Sequence, residues 1–180
     1  MKYAKIVLFI LIVCCLPMGI TAQSISIDAT KTADELVQVL TNTTSCLTIY
    51  PATASGSTIK KSFATFNKNG STFPFSSGIV LSTWESENSK GPYDPGFSGS
   101  VASWNGDSNL DAILGINSLN ATTLEFEFES KTNYLSFNYL FASNEYIRDY
   151  PCNYSDGLAI LIKDVTTNSN YSNIATLPDG

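Results

Sequence analysis

The sequence predicts a mainly β protein: an antiparallel β-sandwich or jelly-roll-like domain with one N-terminal helix and one further short helix. Three observations predict it. Leu124, Phe126 and Phe128 alternate with Glu125, Glu127 and Glu129, the period of two that gives a strand one buried and one charged face. Runs rich in β-branched and aromatic residues recur between clusters of Gly, Pro, Asn and Ser. Helix signals, by contrast, are confined to two stretches.

In chain order, Gln23 to Asp28 alternates Ile25 and Ile27 with polar residues and reads as an initial edge strand. Thr32 and Glu35 have the spacing of a capping box. Leu36, Val37 and Leu40 then fall on one face of a helix that Asn42 and a Thr-rich turn end. Strands are predicted over Cys46–Tyr50, Thr58–Phe66, Gly78–Thr83, Thr122–Glu129, Tyr134–Ala142 and Gly157–Val165. Within Tyr134–Ala142 the alternation of Leu135, Phe137, Tyr139 and Phe141 is joined by Leu140 and Ala142 on the opposite face, which predicts a central strand. Leu158–Ile162 is apolar on both faces, so burial from two sides, and hence a second layer, is expected.

Between Trp84 and Trp104 the Gly and Pro content forbids regular structure, and loops of this length usually carry function. Ser108 to Gly115 reads as a short helix capped by Asp107 or Ser108, with Leu110, Ile113 and Leu114 facing inward. The closing Leu177-Pro-Asp-Gly180 is turn chemistry without a final strand. Residues 23–180 are therefore expected to be one domain, truncated at its C-terminal end, in the N-terminal part of a longer protein.

Residues 1–22 read as a signal peptide. Lys2 and Lys5 precede an unbroken apolar run from Ile6 to Leu16 that is too short to span a bilayer, and Ile20-Thr-Ala22 places cleavage before Gln23. Any membrane contact then runs through this leader or through an anchor outside the chain. The full chain carries ten Lys plus Arg against sixteen Asp plus Glu and no His. Without histidine, Ser-His-Asp and Cys-His catalysis, imidazole metal sites and His-based switching are excluded within this chain. A net charge of −6 leaves no basic stripe for nucleic acid. Cleavage also leaves Cys46 and Cys152 as the cysteines of an exported chain, where disulfides persist. One bridge between them is expected, contributing up to roughly 4 to 5 kcal/mol in the chain-entropy model, with two buried thiols as the alternative.

Several blocks then resemble one family, the choice-of-anchor L domain of secreted bacterial surface proteins of Bacteroidetes type. They are Gly78-Ile-Val-Leu-Ser-Thr83, Gly106-Asp107 with Leu110-Asp111, Leu124-Glu-Phe-Glu-Phe128, and above all Leu135-Ser-Phe-Asn-Tyr-Leu-Phe-Ala-Ser-Asn-Glu-Tyr146. Cys152 and Asp156-Gly157 fall where such domains carry a Cys and an Asp, and the Asp34–Leu40 helix with Cys46 beyond it resembles the domain's opening. Asn144 departs from the second acidic residue common before Glu145, and Trp84 from the usual Gly. The resemblance implies export, a β-rich module, and surface attachment through a separate C-terminal element, often a type IX secretion signal. It implies no catalytic residues.

Candidate chemistry concentrates in three places. Asp107, Asn109 and Asp111 are oxygen ligands at alternate positions, as calcium loops use, and Glu145 and Asp156 join them if the fold brings them close. Ala112 and Ser118 stand where an EF-hand needs its Gly and Glu, and the competing role for Asp107 is a helix cap. Trp84, Tyr93, Phe97 and Trp104 border the long loop, where aromatic rings can stack on sugars or anchor a protein, or plug the core beneath. Glu125, Glu127 and Glu129 have the separation of a glycosidase pair but lack apolar surroundings, so they read as a solvated face. Asn-x-Ser/Thr sequons stand at Asn42, Asn69, Asn120, Asn153 and Asn170, as composition alone produces in an Asn-, Ser- and Thr-rich chain. The functional expectation is a non-catalytic binding or adhesion module for an extracellular glycan or protein. A carbohydrate-active enzyme or its accessory binding domain is the alternative.

Overall fold

The computed structural model describes residues 24–41, 46–92, 103–146 and 149–176. Residues 1–22, expected to be a signal peptide, and Tyr93 and Phe97 lie outside the described residues. None of the described helices is long and apolar enough to cross a membrane.

A three-stranded antiparallel sheet opens the fold: β1 (Ser26–Asp28) at one edge, β4 (Phe63–Asn67) in the centre and β5 (Ser77–Leu81) beyond it. The expected edge strand is therefore β1, with Ile27 opposite Phe66. Helix α1 (Ala33–Thr41) packs over β5, β4 and the short strand β3 (Thr53–Ser55). Its start is the predicted capping box. The Glu35 backbone N–H donates to Thr32 Oγ1 at 3.3 Å, while Thr32 N donates back to Glu35 Oε2 at 2.8 Å. Leu36 and Val37 on its inner face are fully buried, but Leu40 stays 39 % exposed. Ile25, Ala64, Phe66 and Trp104 complete the buried apolar set among the described residues.

A second antiparallel ribbon is interrupted. β2 (Leu47–Ile49) pairs with β7 (Phe128–Ser130), and β3 pairs with β6 (Thr123–Glu125). Between the two pairings Tyr50, Pro51 and Ala52 stand opposite only Phe126 and Glu127, one residue more than the partner strand supplies. That is a bulge, and Pro51 occupies it because it has no N–H to give a ladder. Tyr50 N donates to Glu127 O at 3.0 Å, and Ala52 N finds Asp34 Oδ1 of α1 at 2.7 Å. The predicted strand Thr122–Glu129 is thus two short strands. Its alternation survives, with Leu124, Phe126 and Phe128 half-buried and Glu125, Glu127 and Glu129 exposed.

Serine and threonine, not large apolar residues, fill the join between ribbon and sheet. Ser57, Ser62 and Ser86 are buried, and the Thr122 hydroxyl lies 2.7 Å from Ser82 O and 2.8 Å from Ser62 Oγ. Ser62 Oγ also accepts from Ser57 N at 3.0 Å. Gly56 closes this join because a Cβ there would stand 2.3 Å from Ser62 Oγ.

The C-terminal third differs most from expectation. Tyr134–Ala142 belongs to no ladder and its side chains are exposed, so the predicted central strand does not form within the described chain. In Gly157–Val165 only β8 (Leu161–Ile162) is strand, paired with β9 (Ser172–Asn173), and Leu158 and Ile162 are exposed. The described strands therefore make small antiparallel sheets with two α-helices. A face-to-face sandwich needs ladders in these segments, and period-two apolar alternation creates the demand for a covering layer without supplying it. No disulfide forms among the described residues. Cys46, beside β2, and Cys152, at the end of a 3₁₀ turn over Tyr150–Cys152, are both exposed. The expected bridge depended on a close approach of the two Cα atoms that sequence cannot test.

Candidate functional site

The long loop is anchored at both described ends. Trp84 is half-buried, with Lys60 Nζ 4.1 Å from its ring centroid and 3.0 Å from Glu85 Oε1. Ser86 next to it is fully buried and donates through Oγ to Lys61 O at 2.6 Å. A 3₁₀ turn, Ser86–Lys90, then carries Glu87 paired with Lys90 toward Gly91. At the far end Trp104 is 5 % exposed, and its Nε1–H donates to Ala121 O at 2.7 Å. Trp104 is thus the core plug and not an exposed binding ring, because the backbone beside β6 satisfies its one polar atom. Lys60 has no signal in sequence. It stands between Ile59 and Lys61, and only the fold sets it over Trp84.

Beyond Trp104 the chain forms a closed excursion. Trp104 O accepts from Asn120 N at 3.2 Å, and Asn105 O accepts from Ala121 N at 3.0 Å. Gly106 passes so near the returning strand that a Cβ would lie 2.0 Å from Ser118 O. Helix α2 (Ser108–Leu114) fills the excursion. Asp107 is its N-cap, Oδ1 accepting from Asn109 N and Leu110 N at 2.9 Å each. Gly115, in the left-handed region at φ 67°, closes the other end. Asp111 Oδ1 accepts from Ser118 N at 2.7 Å, and hydrogen bonding from Ser118 holds its carboxyl below the usual range. No α2 residue is fully buried, and Ile113, expected to face inward, is 37 % exposed.

These contacts show where the five residues of the proposed calcium set stand. Asp107 and Asp111 are engaged in shaping α2. Glu145 and Asp156 do meet each other: Ser143 Oγ donates to Asp156 Oδ2 at 2.7 Å and accepts from Glu145 N at 3.0 Å. Burial, with the Asp156 charge second, pushes the Glu145 carboxyl upward. Asp156 lies beside Gly157, whose Cα faces Leu114 Cδ1 and Ile116 Cδ1 at the C-terminal end of α2. Asp107 caps the other end, about 10 Å away along a seven-residue helix. Among the described residues no three acidic or cysteine side chains gather as a metal would need.

The Glu face of the ribbon is held by tyrosines. Tyr50 OH donates to Glu129 Oε1 at 2.7 Å and Tyr171 OH to Glu125 Oε1 at 3.1 Å, with Lys163 Nζ 4.5 Å from the Tyr171 ring centroid. The first bond holds the Tyr50 hydroxyl pKa above its ordinary value. All three glutamates are exposed, so this is the solvated face expected. Across the first sheet a shallow groove of about 440 Å³ runs between β1 and α1, over Ile27, Val39 and Phe66 with Ser26, Asp28, Thr65, Asn67 and Ser77 around them.

The sequence profile described as "Choice-of-anchor L domain" matches residues 24–180. Neither a curated protein nor a solved structure matches the chain. Because that profile runs through the sheet, the bulged ribbon, the α2 excursion and the Ser143–Glu145–Asp156 turn alike, the chain belongs to the choice-of-anchor L domain family.

Proposed function

We propose that this chain is a secreted, non-catalytic adhesion module of a bacterial surface protein, exported behind residues 1–22 by a type IX route and presenting the Trp84–Trp104 loop to an extracellular glycan or protein. Membership of a choice-of-anchor family supports surface association. One observation carries the choice of loop: both of its ends are pinned, by the Lys60–Trp84–Glu85 contact and by buried Trp104 bonded to Ala121. A segment held at both ends is presented from a scaffold at lower ordering cost on binding. The test replaces residues 92–102 with a Gly-Ser linker, which spares Ser86 and Trp104. An unchanged thermal midpoint with loss of binding on an array of surface glycans and proteins is expected. Undiminished binding overturns the assignment.

A carbohydrate-active reading has one observation in its favour, the raised carboxyl of Glu145 beside Asp156, which is how acid and base roles are separated in glycosidases. Hydrolysis of any glycan by the purified chain, abolished in Glu145→Gln, would establish it over the adhesion reading.

A further inference from the structure

The turn at the near end of the long loop is weakly held. Nothing in Ser86-Glu-Asn-Ser-Lys90 is apolar, so although the turn packs against β1 and β5, its burial gains almost no hydrophobic stabilisation. Glu87 and Ser89 are exposed, and the Glu87–Lys90 ion pair lies at the surface, where such pairs contribute little. Against this stands a cost: Asn88 Nδ2 is closed off from solvent and has no hydrogen-bond acceptor. A donor so placed forfeits the bonds it makes to water in an open chain. The two ends of the turn differ. Ser86 is fully buried, and both its backbone N–H and its hydroxyl donate to Lys61 O, at 3.3 and 2.6 Å. Gly91 has φ 69° and ψ −174°, a conformation that glycine alone adopts readily, and nothing lies within 4 Å of where a Cβ would stand.

We infer that residues 87–90 are a latch, which opens from the sheet as a unit between the fixed Ser86 and the free joint at Gly91, and that Asn88 sets how often it opens. Opening breaks two backbone bonds, Asn88 N to Glu85 O at 3.0 Å and Gly91 N to Asn88 O at 3.1 Å, and water replaces both. It also hydrates Asn88 Nδ2, which the closed turn leaves without a bond. The exchange is therefore near even along the backbone and one-sided at the side chain. Because the Lys60–Trp84–Glu85 contact and the Ser86 bonds lie ahead of the latch, they persist when it opens. The long loop then starts at Ser86 instead of Gly91 and gains reach at one end, while Trp104 holds the other. This local opening governs the loop assigned to binding above, but it needs no ligand and does not rest on that assignment.

The experiment is limited trypsin digestion of the purified chain under native conditions. Cleavage after Lys90 is timed by mass spectrometry against cleavage after Lys68, in the turn between β4 and β5. When a site recloses faster than it is cut, its cleavage rate follows the population of the open form. Asn88→Leu keeps the branched shape and removes the amide, and is expected to slow cleavage after Lys90 about tenfold. Asn88→Asp puts a carboxylate in the same enclosed place and is expected to speed it about tenfold, with the rate at Lys68 constant in both variants. Where Asn88→Asp fails to fold, Asn88→Leu decides alone. The inference is overturned by a parent chain never cut after Lys90, by Asn88→Leu cut there as fast as the parent or faster, or by a folded Asn88→Asp cut no faster. Rates at Lys68 that change in step with those at Lys90 overturn it too, because the opening is then global.

Discussion

At the scale of single residues, the outcomes are set by atoms within a few ångströms. Thr32 caps α1 through its hydroxyl, so Thr32→Ala is expected to cost about 1 kcal/mol in urea unfolding. Its partner adds a pH dependence of definite sign. Glu35 accepts from the Thr32 N–H and hydroxyl, chiefly the former, and these bonds hold its carboxyl below the usual carboxylate range. A lowered folded pKa contributes stability that is present above the unfolded-state value and is lost as pH falls through the folded one. Thermal midpoints followed from pH 6 down to about 3 are thus expected to fall less in Glu35→Gln than in the parent chain. Gly106 offers a sharper test. With Ser118 O in the position a Cβ needs, Gly106→Ala is expected to destabilise by about 1 to 3 kcal/mol, while the same change at Gly91, which has open space around it, costs only backbone strain.

Elements show where local pattern meets non-local constraint. Alternation was enough to identify the buried face of Thr122–Glu129, but the division into β6 and β7 comes from Pro51 across the ribbon, a residue seventy or more positions away in sequence. The bulge frees the Ala52 amide, and α1 satisfies it with Asp34. Asp34→Ala is accordingly expected to lower stability by about 1 kcal/mol, read from the urea midpoint, although Asp34 lies on the exposed side of its helix. Helix α2 was legible because its signals are contiguous: an Asp cap, a short apolar period and a terminal Gly. Its lack of a buried face was not, since that depends on what the Asp156-Gly157 stretch covers. Among the candidate cation ligands, two carboxylates already have a role in the helix. A list of acidic residues does not state which ones already serve as caps, and Asp107→Ala is expected to cost about 1 kcal/mol in both calcium and chelator, with no change in midpoint between the two in the parent chain.

For the whole molecule, the distribution of exposed apolar surface is the property that matters. Sheet, α1 and the Ser/Thr join form the packed part, whereas Tyr134–Ala142 offers a row of rings to its surroundings. Cys46 and Cys152 are likewise exposed, so alkylation of the purified chain without reductant is expected to label both. A single bridged species by mass spectrometry would return the pairing to the one anticipated from the cysteine count.

Some of this protein was determined by its sequence alone: the capping box, a cap at Asp107 or Ser108, the β1 edge strand, the faces of the Glu-bearing strand, the family resemblance, and the exclusion of histidine chemistry. Each rests on residue identity or on neighbours within about four positions, where backbone geometry dictates who meets whom. Only the tertiary structure decided that three residues oppose two at Pro51, that Trp104 is core and Lys60 sits on Trp84, that burial raises the Glu145 carboxyl, and that the best strand pattern lies unpaired. Those outcomes depend on which distant segment covers a given face. Apolar alternation states how much surface must leave water without naming what will exclude it.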